Sequence, residues 1–387
     1  MTVKIEDYFP RATFQKMKAF ADQQETPFVV IDTDTIAKAY DDLRAGFEFA
    51  KVYYAVKANP AVEIIDLLRD KGSNFDIASI YELDKVMARG VGPERISYGN
   101  TIKKAKDIRY FFEKGVRMFA TDSEADLRNI AKAAPGSKVY VRILTEGSTT
   151  ADWPLSRKFG CQTDMAMDLL ILARQLGLVP YGLSFHVGSQ QRDISVWDAA
   201  IAKVKVIFER LKEEDGIELK MINMGGGFPA NYITRTNSLE TYAEEIIRFL
   251  KEDFGDDLPE IILEPGRSLI ANAGILVSEV VLVARKSRTA VERWVYVDVG
   301  KFSGLIETMD ESIKFPIYTE KKGEVEEVVI AGPTCDSADI MYENYKYGLP
   351  LNLAIGDRLY WLSTGAYTTS YSAVEFNGFP PLKAFYI

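Results

Sequence analysis

The stretch VYYAVKANPAVEIIDLLRDKGSNFDIASIYELDKVMA, residues 52–88, contains the same structural pattern twice. Each time a short apolar run, 52–56 and then 74–78, precedes a segment with apolar residues at helical spacing, 61–70 and then 80–88. Alternation of strands and helices is typical of a parallel sheet whose crossovers are helical. This stretch therefore predicts an α/β fold.

The alternation continues along the chain. Further strand-like runs occur at 95–98, 117–120, 138–144, 181–186, 219–224 and 260–264, and further helical segments at 164–176, 196–211 and 239–250. Another helix is predicted to begin at Ser123, because Ser123-Glu124-Ala125-Asp126 has the form of a capping box. Eight strands with helices between most of them predict a (β/α)8 barrel, for which about 250 residues are typical. A doubly wound open sheet is the alternative.

The pattern changes after Arg267. Runs at 275–284, 293–299, 325–331, 358–363 and 383–387 read as strands with few helical segments between them. They predict a separate all-β domain, and we expect the strand candidate Phe28–Ile31 to join it. The predicted domains are a barrel over residues 32–270 and a β-sheet domain formed by residues 1–31 with 271–387.

Composition excludes several classes of protein. The net charge of -9 argues against a nucleic-acid partner, which usually meets a basic face. Two cysteines are too few for a disulfide framework. The first residues, MTVKIEDYFPR, lack the pattern of a signal peptide, and no apolar run reaches the ~20 residues of a membrane helix. We expect a cytoplasmic protein without a membrane partner.

Polar residues or glycines lie at or just beyond the ends of six of the eight predicted barrel strands. In chain order they are Lys57, Asp76, Arg142, His186, Gly225-Gly226-Gly227 and Glu264. Active sites of such barrels lie at the carboxyl ends of the strands, so we expect these residues at one mouth.

Lys57 ends an apolar run, where lysine is unusual. Desolvation there would lower its pKa and free its amine to form a Schiff base, although a snorkelling lysine is the alternative. The glycines would let backbone N–H groups approach an anion, or form only a tight turn. Glu264 could keep a pyridine nitrogen protonated, or form a structural pair with Arg267.

His186 is the sole histidine, so acid–base chemistry by histidine has one candidate. It could instead stack on an aromatic cofactor or be a satisfied core residue. Cys335 precedes Asp336 in a polar turn; it is either a buried inert thiol or an acid–base group beside a carboxylate that binds an ammonium. One histidine and two distant cysteines predict no metal site.

Seven motifs in this order resemble those of one known family. They are YYAVKANP (53–60), NFDIASIYEL (74–83), SFHVGSQ (184–190), NMGGGFP (223–229), EPGR (264–267), GPTCDSADIM (332–341) and GAYTTSYS (365–372). The chain resembles the fold-type III pyridoxal-phosphate decarboxylases of basic amino acids, which have an alanine racemase-like fold, and most of all the bacterial ornithine decarboxylases.

The resemblance implies pyridoxal 5'-phosphate as cofactor. It implies that Lys57 forms the Schiff base, that His186 stacks on the ring and that Glu264 pairs with the pyridine nitrogen. Asp76 and Arg142 would order polar contacts near the lysine and the ring. The implied phosphate contacts are Ser189, Gly226, Gly227, Arg267 and Tyr367.

The resemblance also implies a homodimer with two shared active sites. Cys335, as a catalytic residue, and Asp336 would reach into the site of the partner subunit. Lys158 and Asp339 match the family's cross-subunit ion pair. Asp310 lies where the family has a second carboxylate for the distal amine of the substrate.

The implied reaction is decarboxylation of L-ornithine to putrescine in polyamine biosynthesis, with L-lysine or dual specificity as the alternative. Arginine is third, because its guanidinium is larger and planar. An alanine racemase would use a tyrosine base across the interface. A diaminopimelate decarboxylase would need a cation where CDSAD (335–339) offers acids. A non-catalytic homologue that binds a regulatory partner would have lost cofactor contacts that this chain retains.

Overall fold

The computed structural model describes residues 3–145, 150–154 and 158–387. By its contacts the chain divides into two compact units. The barrel unit comprises Ala39–Pro229 and Asn237–Gly266, and the β unit comprises Met1–Lys38, Ala230–Thr236 and Arg267–Ile387.

Eight of the described strands close into the predicted barrel, and each pairs in parallel with its neighbours. In chain order, from the first to the eighth barrel strand, they are Ala50–Ala55, Asn74–Ile77, Ile96–Tyr98, Met118–Thr121, Lys138–Arg142, Val179–Ser184, Met221–Asn223 and Glu260–Leu263. The closure rules out the open-sheet alternative. Because the strands are parallel, their carboxyl ends share one mouth.

Helices separate most of these strands. They are Thr33–Gly46, Val62–Asp70, Ile80–Met87, Ala105–Glu113, Glu124–Ala133, Thr163–Gln175, Ser195–Asp215 and Leu239–Phe254, with 3-10 turns at Val56–Ala58 and Pro93–Arg95. The start predicted at Ser123 is confirmed, since its side chain accepts a hydrogen bond from the N–H of Asp126. A two-stranded ribbon, Ala151–Trp153 with Ser189–Gln191, completes the barrel unit.

The barrel is filled rather than hollow. Tyr53, Met118, Tyr140 and Met221 come from four different strands and pack against one another. The Tyr140 hydroxyl also shares a hydrogen bond of 2.8 Å with Ser97. This interior holds the strand ends, and the residues that follow them, in place.

The β unit is built on a sheet whose order, with residue ranges, is Ile317–Tyr318, Arg358–Leu362, Gly274–Ala284, Arg293–Val297, Val325–Ala331 and Ile340–Pro350. As expected, Phe28–Ile31 joins this sheet: it pairs antiparallel with Gly274–Ala284 and parallel with the C-terminal strand Lys383–Tyr386. The long strand Ile340–Pro350 was not predicted.

Short helical segments precede or connect the strands of the β unit. They are the helices Arg11–Ala21 and Arg267–Ile270 and the 3-10 turns Ile5–Asp7, Ala271–Ala273, Ile306–Glu311, Thr369–Tyr371 and Phe376–Gly378. None of the described helices has the length and apolar character that crossing a membrane requires.

Candidate active site

Lys57 lies in the 3-10 turn Val56–Ala58, which directly follows the first barrel strand. Its side chain is exposed, as the alternative of a snorkelling lysine predicts. The reason is that the turn carries the residue past the strand and out to the barrel mouth. Its charge still stabilises the carboxylates of Asp76 and Glu264 and disfavours protonation of His186.

Asp76 is buried in the second barrel strand, and its Oδ1 has no hydrogen-bond partner among the described residues. Burial raises the pKa of Asp76 well above its usual range, and the charge of Glu264 raises it further. Gly99 makes room for the carboxylate, since a Cβ there would lie 1.9 Å from Oδ1. A buried oxygen without a partner is costly, so Asp76 is a candidate for contact with a bound group.

Glu264 directly follows the eighth barrel strand and accepts a hydrogen bond of 2.5 Å from Nδ2 of Asn223. Desolvation raises the pKa of Glu264, whereas the Asn223 hydrogen bond and the charges of Lys57 and Arg142 oppose this rise. Asn223 was not among the predicted site residues. Its only sequence signal is its position two residues before the glycine run.

The glycine run follows the seventh barrel strand. Gly225 and Gly227 have φ values of 64° and 97°, which side chains rarely adopt. A Cβ on Gly226 would lie 2.6 Å from the carbonyl oxygen of Glu264, and one on Gly227 would lie 2.6 Å from that of Gly188. The glycine run therefore forms a tight turn and also leaves its backbone bare. A tight turn and an anion-binding backbone do not exclude each other.

His186 lies two residues beyond the sixth barrel strand, and its Nδ1 accepts a hydrogen bond of 3.0 Å from the N–H of Gly188. Burial lowers the pKa of His186 well below 6.5, and the nearby charges of Arg142 and Lys57 lower it further. The ring is therefore neutral at neutral pH, with its proton on Nε2. Because Nδ1 carries no proton, the ring cannot donate one from that atom, whereas a neutral ring can stack on an aromatic group.

Arg142 ends the fifth barrel strand, and its guanidinium lies 5.0 Å from the ring centre of Phe159. Burial lowers the pKa of Arg142, while Glu264 acts to raise it. Ser189 begins the second strand of the two-stranded ribbon. Lys158 is exposed, with its ammonium 5.1 Å from the Phe159 ring.

In the β unit, Arg267 is 3% exposed and donates from both terminal nitrogens to the carboxylate of Glu307. It also donates to the Tyr232 hydroxyl at 2.8 Å and lies 4.8 Å from the ring centre of Tyr367. Burial acts to lower the pKa of Arg267, but Glu307 and Tyr232 hold it well above its usual value. The ion pair that the structure shows for Arg267 is therefore with Glu307. Sequence reasoning missed Glu307.

Cys335 and Asp336 are both exposed, in the turn between Val325–Ala331 and Ile340–Pro350. The backbone N–H of Cys335 donates to Oδ1 of Asn377 at 2.9 Å. The alternative of a buried, inert thiol is wrong, because this turn holds Cys335 at the surface.

Asp339 organises this turn. It is 2% exposed; its Oδ1 accepts from the N–H of Lys301 at 2.8 Å, and its Oδ2 accepts from the Thr334 hydroxyl at 2.7 Å. Its pairing with Lys158 of a second subunit stays a prediction. Asp310 is exposed, with a φ of 51°, in a 3-10 turn of the same unit. Within the described ranges, no cluster of three His, Cys, Asp or Glu could hold a metal ion.

Comparison with known proteins identifies the barrel. Residues 33–271 match the family described as pyridoxal-dependent decarboxylase, pyridoxal binding domain. A lysine/ornithine decarboxylase of Selenomonas ruminantium is 33% identical over 370 residues, covering 95% of this chain and 91% of that protein.

Two further similarities bear on function. The crystal structure of SrLDC in complex with PLP and cadaverine has a TM-score of 0.87 and 31% identity, covering 96% of this chain and 93% of that one. Antizyme inhibitor 2 of Xenopus laevis is 31% identical, covering 91% of this chain and 79% of that protein.

Proposed function

The chain belongs to the pyridoxal-dependent decarboxylases, and from that premise we propose that it converts L-ornithine to putrescine and carbon dioxide in polyamine biosynthesis. It is a carboxy-lyase of basic amino acids with an alanine racemase-like fold, and its cofactor is pyridoxal 5'-phosphate. The observation that carries the proposal is the position of Lys57, Asp76 and Glu264 at the carboxyl ends of three neighbouring parallel barrel strands.

Three features of the barrel mouth fit this cofactor. The unpartnered Oδ1 of Asp76 can accept a hydrogen bond from a bound group. The backbone of Gly226 and Gly227 lies bare where an anion can approach. The carboxylate of Glu264 can meet a protonated ring nitrogen.

Some of the proposed site residues hold the cofactor directly, and others order the polar contacts around it. Lys57 would hold the cofactor covalently, Glu264 would pair with its ring nitrogen, and the neutral ring of His186 would stack on it. Asp76 and Arg142 order the polar contacts around them. The proposed phosphate contacts are Ser189, Gly226, Gly227, Arg267 and Tyr367.

The bound cofactor supplies an electron sink for the electron pair left when the carboxylate departs. The negative charge of Glu264 keeps a proton on the ring nitrogen and so sustains that sink. The thiol of Cys335 then returns a proton to the α-carbon of the substrate. Asp336, together with Asp310, holds the distal ammonium through charge-assisted hydrogen bonds.

L-Lysine, alone or with ornithine, is the second candidate substrate. The two amino acids differ by one methylene, which a pocket discriminates by only about 1–3 kcal/mol. The relative from Selenomonas ruminantium is described as a lysine/ornithine decarboxylase, and this supports both amino acids as candidate substrates.

Carbon dioxide release from ornithine, lysine, arginine and diaminopimelate, measured side by side, tests the assignment. We expect the highest kcat/KM with ornithine. Equal values for ornithine and lysine would establish dual specificity instead. A preference for diaminopimelate would overturn the roles given to Asp336 and Asp310.

We further propose that the enzyme is a homodimer in which Cys335 and Asp336 complete the site of the partner subunit, with Lys158 and Asp339 paired across the interface. Mixing equal amounts of Lys57→Ala and Cys335→Ala subunits should then restore about a quarter of wild-type activity, because half of the random dimers are mixed and each has one intact site. No recovery after exchange would contradict shared sites.

A non-catalytic binding protein is the remaining alternative, suggested by the similarity to an antizyme inhibitor. The presence of Lys57, His186 and Glu264 argues against it. The visible spectrum of the purified protein tests this alternative: a cofactor band that changes on addition of ornithine supports the enzyme.

A further inference from the structure

Asn223 links two parts of the barrel mouth. It ends the seventh barrel strand and is 1% exposed. Its Nδ2 donates to Oε1 of Glu264 at 2.5 Å, and its Oδ1 accepts from the N–H of Gly225 at 2.8 Å. Both ends of one side-chain amide are thus engaged, one by the carboxylate and the other by the glycine run.

The orientation of this amide follows from the chemistry of its neighbours. A backbone N–H can only donate, so the oxygen of Asn223 must face Gly225. The NH2 group then faces Glu264. The reversed amide would set oxygen against carboxylate and donor against donor, which are two repulsive contacts. Gly225 therefore dictates that Glu264 receives a donor.

A second link joins the same elements. The backbone N–H of Glu264 donates to the carbonyl oxygen of Gly225 at 2.8 Å. Gly225 is thus bonded to Asn223 through its N–H and to Glu264 through its carbonyl group. The three residues form a closed set of hydrogen bonds across the ends of the seventh and eighth strands.

We propose that Asn223 is a positioning residue whose hydrogen bond favours the charged form of Glu264 and fixes its orientation relative to the glycine run 225–227. The groups assigned to the ring nitrogen and to the phosphate of the cofactor are thereby held as one connected set. This inference rests on the proposed roles of Glu264 and of the glycines. An amide suits this position because it donates at every pH, whereas burial alone favours the protonated carboxyl group.

The substitution Asn223→Asp isolates this role, because it preserves shape and keeps an acceptor for Gly225. The new carboxyl group can donate to Glu264 only while it is protonated. Two adjacent carboxyl groups share one proton and lose it as the pH rises. Lys57, Arg142 and Asp76 also act on Glu264, but they are the same in both proteins, so the variant should gain a pH dependence beyond that of the wild type.

The test is the dissociation constant of pyridoxal phosphate for the full-length, cofactor-depleted protein, followed by fluorescence from about pH 6 to about pH 9. The ratio of the Asn223→Asp constant to that of wild type should rise with pH, to roughly 10- to 100-fold, as expected for loss of one hydrogen bond to a charged group. Asn223→Ala should bind more weakly across the whole range.

Two further variants serve as controls. Asn74→Asp makes the same change at the other end of the barrel, where Asn74 donates to the carbonyl oxygen of Val52 at 3.1 Å. The ratio of its dissociation constant to that of wild type should stay near one at every pH. In the double variant Asn223→Asp, Glu264→Gln the pH dependence of the ratio to Glu264→Gln should disappear, because the new amide at 264 can donate to the new carboxylate at 223.

The outcomes separate this inference from the proposed function. The role of Asn223 alone would be overturned if both Asn223 variants bound pyridoxal phosphate as tightly as wild type at every pH while Glu264→Gln bound it more weakly. Failure of wild type to bind pyridoxal phosphate would overturn both. Circular dichroism confirms folding, and the isosteric Asn223→Asp variant decides the question if Asn223→Ala does not fold.

Discussion

Two acidic side chains, Glu264 in the barrel unit and Glu307 in the β unit, have opposite kinds of partner. Glu307 is buried and receives two hydrogen bonds from the guanidinium of Arg267. Glu264 receives a hydrogen bond from the neutral amide of Asn223. The first charge is neutralised by a fixed cation, whereas the second is oriented by its partner without being neutralised.

The difference shows how a structural carboxylate can be told from a functional one. Breaking a buried ion pair is costly, because it leaves a buried charge without its counter-ion. A carboxylate held by an amide keeps its charge, which a bound cation such as a protonated ring nitrogen can then meet. Glu264 is therefore the residue of the two that should matter more for turnover, and Glu307 the one that should matter more for stability.

The largest expected effect is on turnover. Glu264→Gln should lower kcat by about 100-fold or more, because the variant has no charge to hold a proton on the ring nitrogen. Its free energy of unfolding should stay close to wild type. Glu260→Gln is the matched control, since Glu260 begins the same strand and pairs with the partly exposed ammonium of Lys51, with a further hydrogen bond from the Tyr181 hydroxyl. Equal kcat for both variants would remove the distinction.

The next effect is on stability. Glu307→Gln should lower the free energy of unfolding by about 3–5 kcal/mol, because it leaves the buried guanidinium of Arg267 without its counter-ion. Urea titration measures this loss. Glu326→Gln, which breaks the more exposed pair with Arg285, should cost about 1 kcal/mol or less. Similar losses in the two variants would show that Glu307 is not a structural partner.

The third effect is a pH dependence of stability. Because the pKa of Asp76 is raised by burial, the folded chain holds this proton more tightly than the unfolded chain. Stability should then fall as the pH rises from about 4 through the folded pKa, by about 1.4 kcal/mol for each pH unit between the two pKa values. Asp76→Asn should remove this fall, so that the melting temperature of the cofactor-free variant exceeds that of wild type by more as the pH rises.

A second aspartate provides the opposite sign. The hydrogen bond from Arg89 lowers the pKa of Asp66, so its contribution is present at neutral pH and lost in acid. Asp66→Asn should therefore melt below wild type at neutral pH and approach it as the pH falls. If both variants melted above wild type at neutral pH, or both below it, the assignment of Asp76 as a destabilised carboxylate would be contradicted.

The barrel could be predicted from the sequence because its buried parallel strands are short apolar runs between helical segments. The strand Ile340–Pro350 could not, because Tyr, Glu, Asn and Lys dominate its sequence and its pairing with Val325–Ala331 is irregular. In half-exposed strands of this kind, apolar and polar residues do not alternate regularly. The helix Ala105–Glu113 was missed although Ile108 and Phe111 form a buried stripe at helical spacing.

The candidate site was predictable where a residue type is unusual at a strand end, as with Lys57 and Glu264. It was not predictable where the role comes from a distant partner. Asn223 and Glu264 are 41 residues apart, and Glu307 and Arg267 are 40 apart. Only the closed barrel and the folded β unit bring these pairs together, and neither residue type signals such a contact in the sequence.

The proposed function depends on the amine of Lys57, which would hold the cofactor at the mouth of the barrel. Borohydride reduction of the purified protein, followed by proteolysis and mass spectrometry, tests it most directly. We predict a phosphopyridoxyl group on the peptide that contains Lys57 and its loss in Lys57→Ala. A label on another lysine, or no label in a protein that releases carbon dioxide from ornithine, would contradict the account.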